Sequence, residues 1–170
     1  LKRRSRDRSV DKTLFRLADG ELIETVLMRY GRSRDSRARR TVCVSTQAGC
    51  ALGCTFCATG QQGFSRNLSV GEIVGQVVYM SRVAGAAAGH SPVTNVVFMG
   101  MGEPLANYRN TMDSIATLND EKGLNIGARH MTVSTVGLAP QIVKLAEEPY
   151  QVNLAVSLHA PNDVVRSETM

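Results

Sequence analysis

The pattern of apolar and polar positions predicts a β-hairpin near the beginning of the chain. Two apolar stretches, residues 14–17 and 22–28, lie on either side of the pair Asp19-Gly20. An Asp-Gly pair between two apolar stretches is a strong signal for a tight turn between antiparallel strands. Residues 31–40 contain mainly Arg and Ser and are predicted to form a loop.

Beyond this loop, four apolar segments have the pattern and length of β-strands. They cover residues 41–46, 93–99, 130–134 and 152–158. The segment 93–99 is continuously apolar, which is typical of a strand that is buried on both faces of a sheet.

Helical patterns separate these strands. Ser69 and Glu72 form a capping box ahead of helically spaced apolar residues. Asn107 is the predicted N-cap of a second helix, and Pro140 opens a third helix that ends near Glu147. The order β-α-β-α-β-α-β predicts the α/β fold class, with parallel strands joined by right-handed crossovers.

Chemically distinctive residues follow or end each of the four predicted strands. In parallel α/β folds the functional groups lie at the carboxyl ends of the strands, so these residues are predicted to share one site. In chain order they are Cys50, Cys54 and Cys57, then Gly102 and Glu103, then Ser134, and finally Ser157 and His159. No G-x-G-x-x-G motif follows the first strand, which argues against a dinucleotide-binding Rossmann domain.

The composition is that of a folded domain. The chain has 170 residues, of which 43% are hydrophobic and 21% charged, and this excludes a disordered or collagen-like chain. We expect no membrane association, because no run of about 18 apolar residues is present. Since no secretion signal is visible either, we expect a cytoplasmic protein.

The positive charge is concentrated in the first 40 residues. Residues 1–40 have a net charge of +7, whereas residues 41–170 have a net charge of −2. We therefore divide the chain into a basic hairpin and Arg-rich loop, 1–40, and a core, 41–170. The densest basic run comprises Arg32, Arg34, Arg37, Arg39 and Arg40. It fits a polyanion partner such as RNA, and it equally fits a solvated charged loop.

The cysteines are clustered. Cys43, Cys50, Cys54 and Cys57 fall within 15 residues, and the last three have the spacing C-x-x-x-C-x-x-C. Three thiolates from one short loop suit an iron–sulfur cubane, in which the fourth iron stays open to a small ligand.

Three other interpretations of the cysteines compete with an open cluster. A disulfide framework is disfavoured by a reducing compartment. A structural zinc site needs a fourth ligand, for which His90 is a candidate. A thioredoxin-like motif at Cys54 and Cys57 leaves Cys50 unexplained. We favour the open iron–sulfur cluster.

The run CALGCTFC at residues 50–57 resembles the cluster motif of the radical S-adenosylmethionine (SAM) superfamily. Four further segments, 42–50, 58–68, 100–107 and 157–163, resemble the RlmN-type methyltransferases that modify adenine carbon 2 in 23S ribosomal RNA and tRNA. This resemblance implies a partial (β/α) TIM-like barrel of the radical SAM type, here with an N-terminal β-hairpin. It also implies two cofactors, a 4Fe-4S cluster and SAM.

The resemblance further implies a role for each matching residue. Cys50, Cys54 and Cys57 would hold the cluster. Gly102 and Glu103 match the segment that receives the SAM amino group, and a carboxylate is a good acceptor for an ammonium group. The other implied SAM contacts are Ser134, Ser157, Leu158 and His159.

Two residues outside the strand-end set have implied catalytic roles. By resemblance, Cys43 resolves a covalent protein–RNA intermediate through a disulfide with a methyl-carrying cysteine, and Glu24 accepts a proton. From the residues alone, Cys43 is equally a small buried apolar residue, and Glu24 is more simply a carboxylate on a surface strand.

The implied reaction needs components beyond these residues. No cysteine is left to carry the methyl group, so we expect a fragment of a longer protein, with a helix just beginning at Asn162 or Asp163. The expected partners are 23S rRNA, tRNA and a reducing electron donor such as flavodoxin, and the expected state is a monomer. Alternatives are a carbon-8 adenosine methyltransferase, a radical SAM enzyme with a non-RNA substrate, and a zinc-stabilised RNA-binding module.

Overall fold

The structure is a computed structural model that describes residues 1–31, 38–85 and 92–170. It contains a seven-stranded sheet with the spatial order β1-β2-β3-β4-β7-β8-β9 and a separate two-stranded ribbon of β5 and β6. The strands are β1 (Lys2–Arg4), β2 (Val10–Arg16), β3 (Leu22–Tyr30), β4 (Arg39–Cys43), β5 (Gln47–Gly49), β6 (Phe64–Asn67), β7 (Asn95–Phe98), β8 (Met131–Thr135) and β9 (Asn153–Val156).

Five α-helices and one short 3-10 helix connect the strands of the described chain. The α-helices are α1 (Ala58–Gln61), α2 (Val70–Val83), α3 (Tyr108–Asn119), α4 (Ala139–Ala146) and α5 (Asp163–Thr169), and the 3-10 helix covers Ala128–His130. None of the helices in the described segments is long and apolar enough to cross a membrane.

The sheet is antiparallel in its first half and parallel in its second half. The strands β1 to β4 pair antiparallel, and β2 and β3 are the predicted hairpin around Asp19-Gly20. The strands β4, β7, β8 and β9 pair parallel. This arrangement confirms an α/β fold in which the hairpin extends an open, partial barrel sheet.

Helices α2 and α3 bury apolar side chains in the core, which lies against one face of the sheet. On β3, Ile23, Thr25 and Leu27 are buried while the alternate residues are partly exposed. Helix α2 packs on the buried face, where the Phe15 and Tyr79 rings meet edge to face at 4.9 Å. The other large buried side chains include Ile73, Met80, Phe98, Ile115, Leu118 and Met131. The opposite face of the hairpin and of β4 is therefore the one left for a site.

The predicted helices begin where the sequence indicates, but one of the predicted side-chain caps does not form. The capping box of Ser69 and Glu72 is present at the start of α2. Asn107 occupies the N-cap position of α3, yet its side chain makes no capping hydrogen bond. It is buried instead, and its amide donates to the carbonyls of Thr46 and Leu68, both at 2.8 Å. Its side-chain oxygen accepts from a side-chain amide three residues further along the helix, at 3.0 Å, in place of a backbone N–H.

Three features differ from the predicted elements. The strand predicted at 41–46 lies at Arg39–Cys43, because the chain leaves the sheet after Val44. The backbone N–H groups of Thr46 and Gln47 donate to the Met101 carbonyl, which leads the chain into the unpredicted ribbon. The edge strand β1 was also not predicted. His90, Arg32, Arg34 and Arg37 lie outside the described residues, and the division at residue 40 stays a prediction.

Candidate active site

The cysteine loop, residues 50–57, is held by backbone hydrogen bonds at both of its ends. The ribbon of β5 and β6 closes its base, where the Cys50 N–H donates to the Gly63 carbonyl at 2.8 Å. Within the loop, the Cys57 N–H donates to the Cys54 carbonyl at 3.0 Å. Gly53 has a φ of +64°, a left-handed conformation that glycine adopts without strain. The loop therefore turns tightly enough to bring its thiols to one side.

The three thiols line one cavity of about 220 Å³, which we call the thiol cavity. Cys54 is buried, Cys50 and Cys57 are partly exposed, and all of them are free thiols. Burial raises the pKa of the Cys50 thiol, and the nearby Cys54, Cys57 and Glu103 raise that pKa further. The thiols are thus close enough to interact electrostatically.

The donor set of the thiol cavity fits an iron–sulfur cluster. Within the described ranges, no three His, Cys, Asp or Glu side chains converge closely enough to hold a single metal ion. A cluster makes a looser demand, because each thiolate binds a different iron atom. Three soft thiols around one cavity meet that demand.

Glu103 also lines the thiol cavity. Its side chain is buried, with 3% of the residue exposed. One carboxylate oxygen accepts from the Leu105 N–H and the other from the Val136 N–H, both at 2.9 Å. Its own N–H donates to Oε1 of Gln47 at 2.8 Å. Since these contacts come from three separate segments, the carboxylate is fixed in both position and orientation.

The backbone before Glu103 requires glycine. Gly102 has a φ of +96°, and a Cβ atom there would lie 2.4 Å from the Gln47 Cβ. At Gly100 a Cβ atom would lie 2.6 Å from the Val44 carbonyl oxygen. Any side chain at these two positions would push the segment after β7 away from Val44 and Gln47, which lie just after β4 and at the start of β5.

The last two strands bring Ser134, Ser157 and His159 to the same cavity. The Ser157 N–H donates to the Thr135 carbonyl at 2.8 Å, which continues the pairing of β8 and β9. His159 has a left-handed φ of +55°, and its ring lies 4.8 Å from the Phe56 ring in the cysteine loop. Leu158 is 63% exposed and does not line the thiol cavity.

Cys43 and Glu24 lie on the open face of the sheet but outside the thiol cavity. Cys43 is directly opposite Val26, two residues from Glu24, so the two side chains share a face. Burial raises the pKa of the Cys43 thiol to about 11. Glu24 is partly exposed and pairs with Lys12 at 2.7 Å. All four cysteines are free thiols, and the disulfide expected between Cys43 and a methyl-carrying cysteine stays a prediction.

Sequence reasoning did not anticipate two contacts that position the site. Gln47 supports Glu103 from the ribbon, and the signal for it is a polar residue directly after the first predicted strand. The Thr55 N–H in the cysteine loop donates to the Thr169 carbonyl at the end of α5, at 3.0 Å. No local sequence pattern indicates the second contact, because it joins segments 114 residues apart.

The parallel strands end at one edge of the sheet, and the loop with the three free thiols lies at that edge. Proteins with this arrangement form a class of α/β folds that can bind an iron–sulfur cluster there. The radical SAM superfamily model matches residues 44–169. The chain belongs to the radical SAM superfamily.

Individual proteins with known names are similar to this chain. A probable dual-specificity RNA methyltransferase RlmN from Chloroflexus aurantiacus is 56% identical over 94% of this chain and 42% of its own length. A protein of the same name from Oceanobacillus iheyensis is 51% identical over 100% of this chain and 46% of its own length. The crystal structure of a radical SAM methyltransferase from Sphaerobacter thermophilus superposes with a TM-score of 0.90 and 53% identity, over 100% of this chain and 48% of that one. The chain thus spans less than half the length of these relatives.

Proposed function

We propose that this chain is the cluster-binding and SAM-binding part of an enzyme that methylates carbon 2 of adenosine in 23S rRNA and tRNA. The observation that carries the proposal is the thiol cavity, which is lined by three free thiols and a fixed, buried carboxylate. The names of the relatives, which describe dual-specificity RNA methyltransferases, support the choice of RNA as substrate.

In this proposal Cys50, Cys54 and Cys57 hold a 4Fe-4S cluster. When bound, the cluster supplies an open iron for SAM and the electron that cleaves it. The contribution of the protein is to position the three thiols. The ribbon and the tight turn at Gly53 hold the three thiols on one side of the loop before any cofactor arrives.

Glu103 binds the amino group of SAM in this proposal. Each of its carboxylate oxygens accepts one backbone N–H and keeps a further lone pair for an ammonium group. Ser134 and Ser157 offer hydroxyl groups in the same cavity, and His159 offers an imidazole. Because Leu158 is exposed, its contact with SAM in this proposal is made by the backbone between Ser157 and His159.

Cys43 and Glu24 act on the RNA side of the reaction. The raised pKa keeps Cys43 a neutral thiol at pH 7, so its proton would leave as its sulfur bonds to the sulfur of the protein–RNA adduct. The bond between that sulfur and the transferred carbon would break, and the carbon would take the electron pair and a proton to become the methyl group on adenine. Glu24 accepts the proton from adenine carbon 2. The methyl-carrying cysteine is a fifth cysteine of the full-length protein, since the four in this chain already have roles.

Nucleoside mass spectrometry tests this function directly. The full-length protein is reconstituted anaerobically with iron and sulfide and incubated with SAM, a reductant and 23S rRNA or tRNA. We expect 2-methyladenosine. If 8-methyladenosine is the only product, the carbon-8 alternative is correct. If SAM cleavage does not depend on added RNA, the enzyme has a different substrate.

Matched cysteine variants test the assigned roles. Cys54→Ala is expected to lose iron, sulfide and turnover together. Cys43→Ala is expected to keep its iron and sulfide and to lose turnover only. One zinc ion per chain without sulfide in the wild type would contradict the proposal and indicate a zinc-stabilised module. A flavodoxin-type electron donor, a monomeric state and a cytoplasmic location stay predictions.

A further inference from the structure

A row of cations lies on the open face of the hairpin. Arg3 on β1 is directly opposite Lys12 on β2, so both side chains project from the same face. Arg16 lies four residues beyond Lys12 on the same strand, and strand alternation places it on this face too. All three are exposed. Helix α2 covers the other face, so these charges stay in solvent.

Lys12, in the middle of this row, also lines a second cavity of about 490 Å³, which we call the hairpin chamber. The hairpin contributes Lys12, Leu14, Leu22 and Glu24, and the helix after the cysteine loop contributes Thr59. Thr59 also lines the thiol cavity, so the two cavities share a wall. The hairpin chamber and the thiol cavity are therefore neighbours.

The polar contact inside the chamber can be exchanged at little cost. Nζ of Lys12 lies 2.7 Å from Oε1 of Glu24, and the two side chains are 50% and 41% exposed. Ion pairs this exposed contribute little to stability, because water solvates both charges. A second anion that approaches Lys12 can therefore replace Glu24 as the ion-pair partner of its ammonium group.

We propose that Lys12, flanked by Arg3 and Arg16, binds the phosphates of an RNA strand and thereby releases the Glu24 carboxylate inside the hairpin chamber. This inference rests on the proposed function, which makes RNA the substrate. Lys12 and Arg16 are about 13 Å apart along an extended strand, so the row spans more than one phosphate. The chamber is lined by Leu14 and Leu22 as well as by Glu24, and this combination suits the apolar face and polar edge of an unstacked purine.

Salt dependence of RNA binding tests the phosphate contact. The full-length, reconstituted protein is titrated with its RNA substrate at a series of KCl concentrations. For Lys12→Gln we expect weaker binding and a slope of log Kd against log salt that is smaller by about 0.7, the value for one contact to a single strand. Lys12→Arg should restore the wild-type slope. Arg109→Gln, which removes one exposed charge from α3, should leave the slope unchanged.

Single-turnover methylation separates this inference from the proposed function. Wild-type protein that methylates no RNA overturns the proposed function itself. With an active wild type, an unchanged slope for Lys12→Gln overturns the phosphate contact. At saturating RNA the Lys12→Gln rate should stay within about twofold of wild type, as expected for a binding residue. A large loss of methylation rate with an unchanged Kd for RNA would make Lys12 a catalytic residue. That result would overturn the proposal that Lys12 exchanges Glu24 for an RNA phosphate.

Discussion

At the scale of single residues, Glu103 is the most tightly constrained group of the thiol cavity. Glu103→Gln places an amide N–H₂ against one of the two backbone N–H donors, so one hydrogen bond is lost and two donors face each other. We expect a loss of about 1–3 kcal/mol in the free energy of unfolding, together with weaker SAM binding. Urea unfolding and equilibrium dialysis with SAM measure the two effects.

The control for this substitution is Glu121→Gln, which makes the same chemical change at an exposed position. It should leave both measurements unchanged. If Glu103→Gln were as stable as wild type, the two backbone contacts would not be what holds the carboxylate.

Cys43 should react slowly with alkylating reagents at neutral pH. Burial raises the pKa of its thiol from 9.0 to about 11, and only the thiolate reacts. In the native protein, modification by iodoacetamide should still be accelerating at pH 10, whereas in denaturant it should already approach its plateau. Peptide mass spectrometry at a series of pH values measures both curves.

The same shift sets the sign of a stability effect. The unfolded chain releases the Cys43 proton near pH 9, while the folded chain retains it until about pH 11. Stability should therefore fall as the pH rises between these values. A native rate that reaches its plateau at the same pH as the denatured rate would contradict this.

Spacing indicated residues that lie together in the structure, but it did not indicate the groups that support them. The C-x-x-x-C-x-x-C pattern and the strand-end rule indicated Cys50, Cys54, Cys57 and Glu103, and all four line one cavity. The Val136 N–H that holds Glu103 lies 33 residues away, after another strand. Such partners depend on how loops meet in three dimensions, and no local pattern encodes them.

At the scale of elements, helix α2 is joined to the sheet by one buried amide. Oε1 of Gln76 accepts from the Thr25 hydroxyl at 2.6 Å and from the Ser45 N–H at 2.9 Å. Its Nε2 donates to the Ser45 carbonyl at 2.9 Å. Gln76 thus fixes the point at which the chain leaves β4 for the cysteine loop.

Gln76→Met should destabilise the fold, because it keeps the volume and leaves these buried groups without their partner. We expect about 2–4 kcal/mol, since each unsatisfied buried group costs about 1–3 kcal/mol and such costs are not additive. Urea unfolding measures the change. Arg82→Met on the exposed side of α2 is the control and should cost far less. Equal losses for both variants would rule out a special role for Gln76.

Periodicity predicted the long elements better than the short ones. Helix α2 and the hairpin each have a terminal signal, a capping box or an Asp-Gly turn, in addition to a regular pattern. The ribbon β5 and β6 has only three and four residues, and it forms because Thr46 and Gln47 find an acceptor in Met101. Short elements of this kind follow from the tertiary fold, so the sequence alone does not indicate them.

At the scale of the whole molecule, the basic hairpin and the α/β core share one sheet. The strands β3 and β4 pair continuously from Val26 with Cys43 to Tyr30 with Arg39. The contrast in charge between the two parts therefore does not coincide with a break in backbone hydrogen bonding. We expect the hairpin and the parallel strands to unfold together.

Asp11 gives a way to test this coupling, because it is buried at the centre of the hairpin charges. Arg4 and Arg29 each lie 2.6 Å from its carboxylate. Although burial alone would raise its pKa, the hydrogen bonds from these arginines hold the pKa of Asp11 below 3.8. Its contribution is therefore complete above pH 3.8 and is lost as the pH falls through the lower, folded pKa.

Asp11→Asn should lower the stability by about 3 kcal/mol at pH 7, the low end for breaking a buried pair, because both arginines are partly exposed. The difference from wild type should shrink as the pH falls below 3.8 and vanish below the folded pKa, where the wild-type carboxyl is also neutral. Asp113→Asn, at an exposed position on α3, is the control. Hydrogen exchange of the full-length protein should show equal acceleration in β3 and β8, because one shared sheet opens as a unit. Acceleration confined to β1, β2 and β3 would contradict this coupling and favour a hairpin that opens independently of the core.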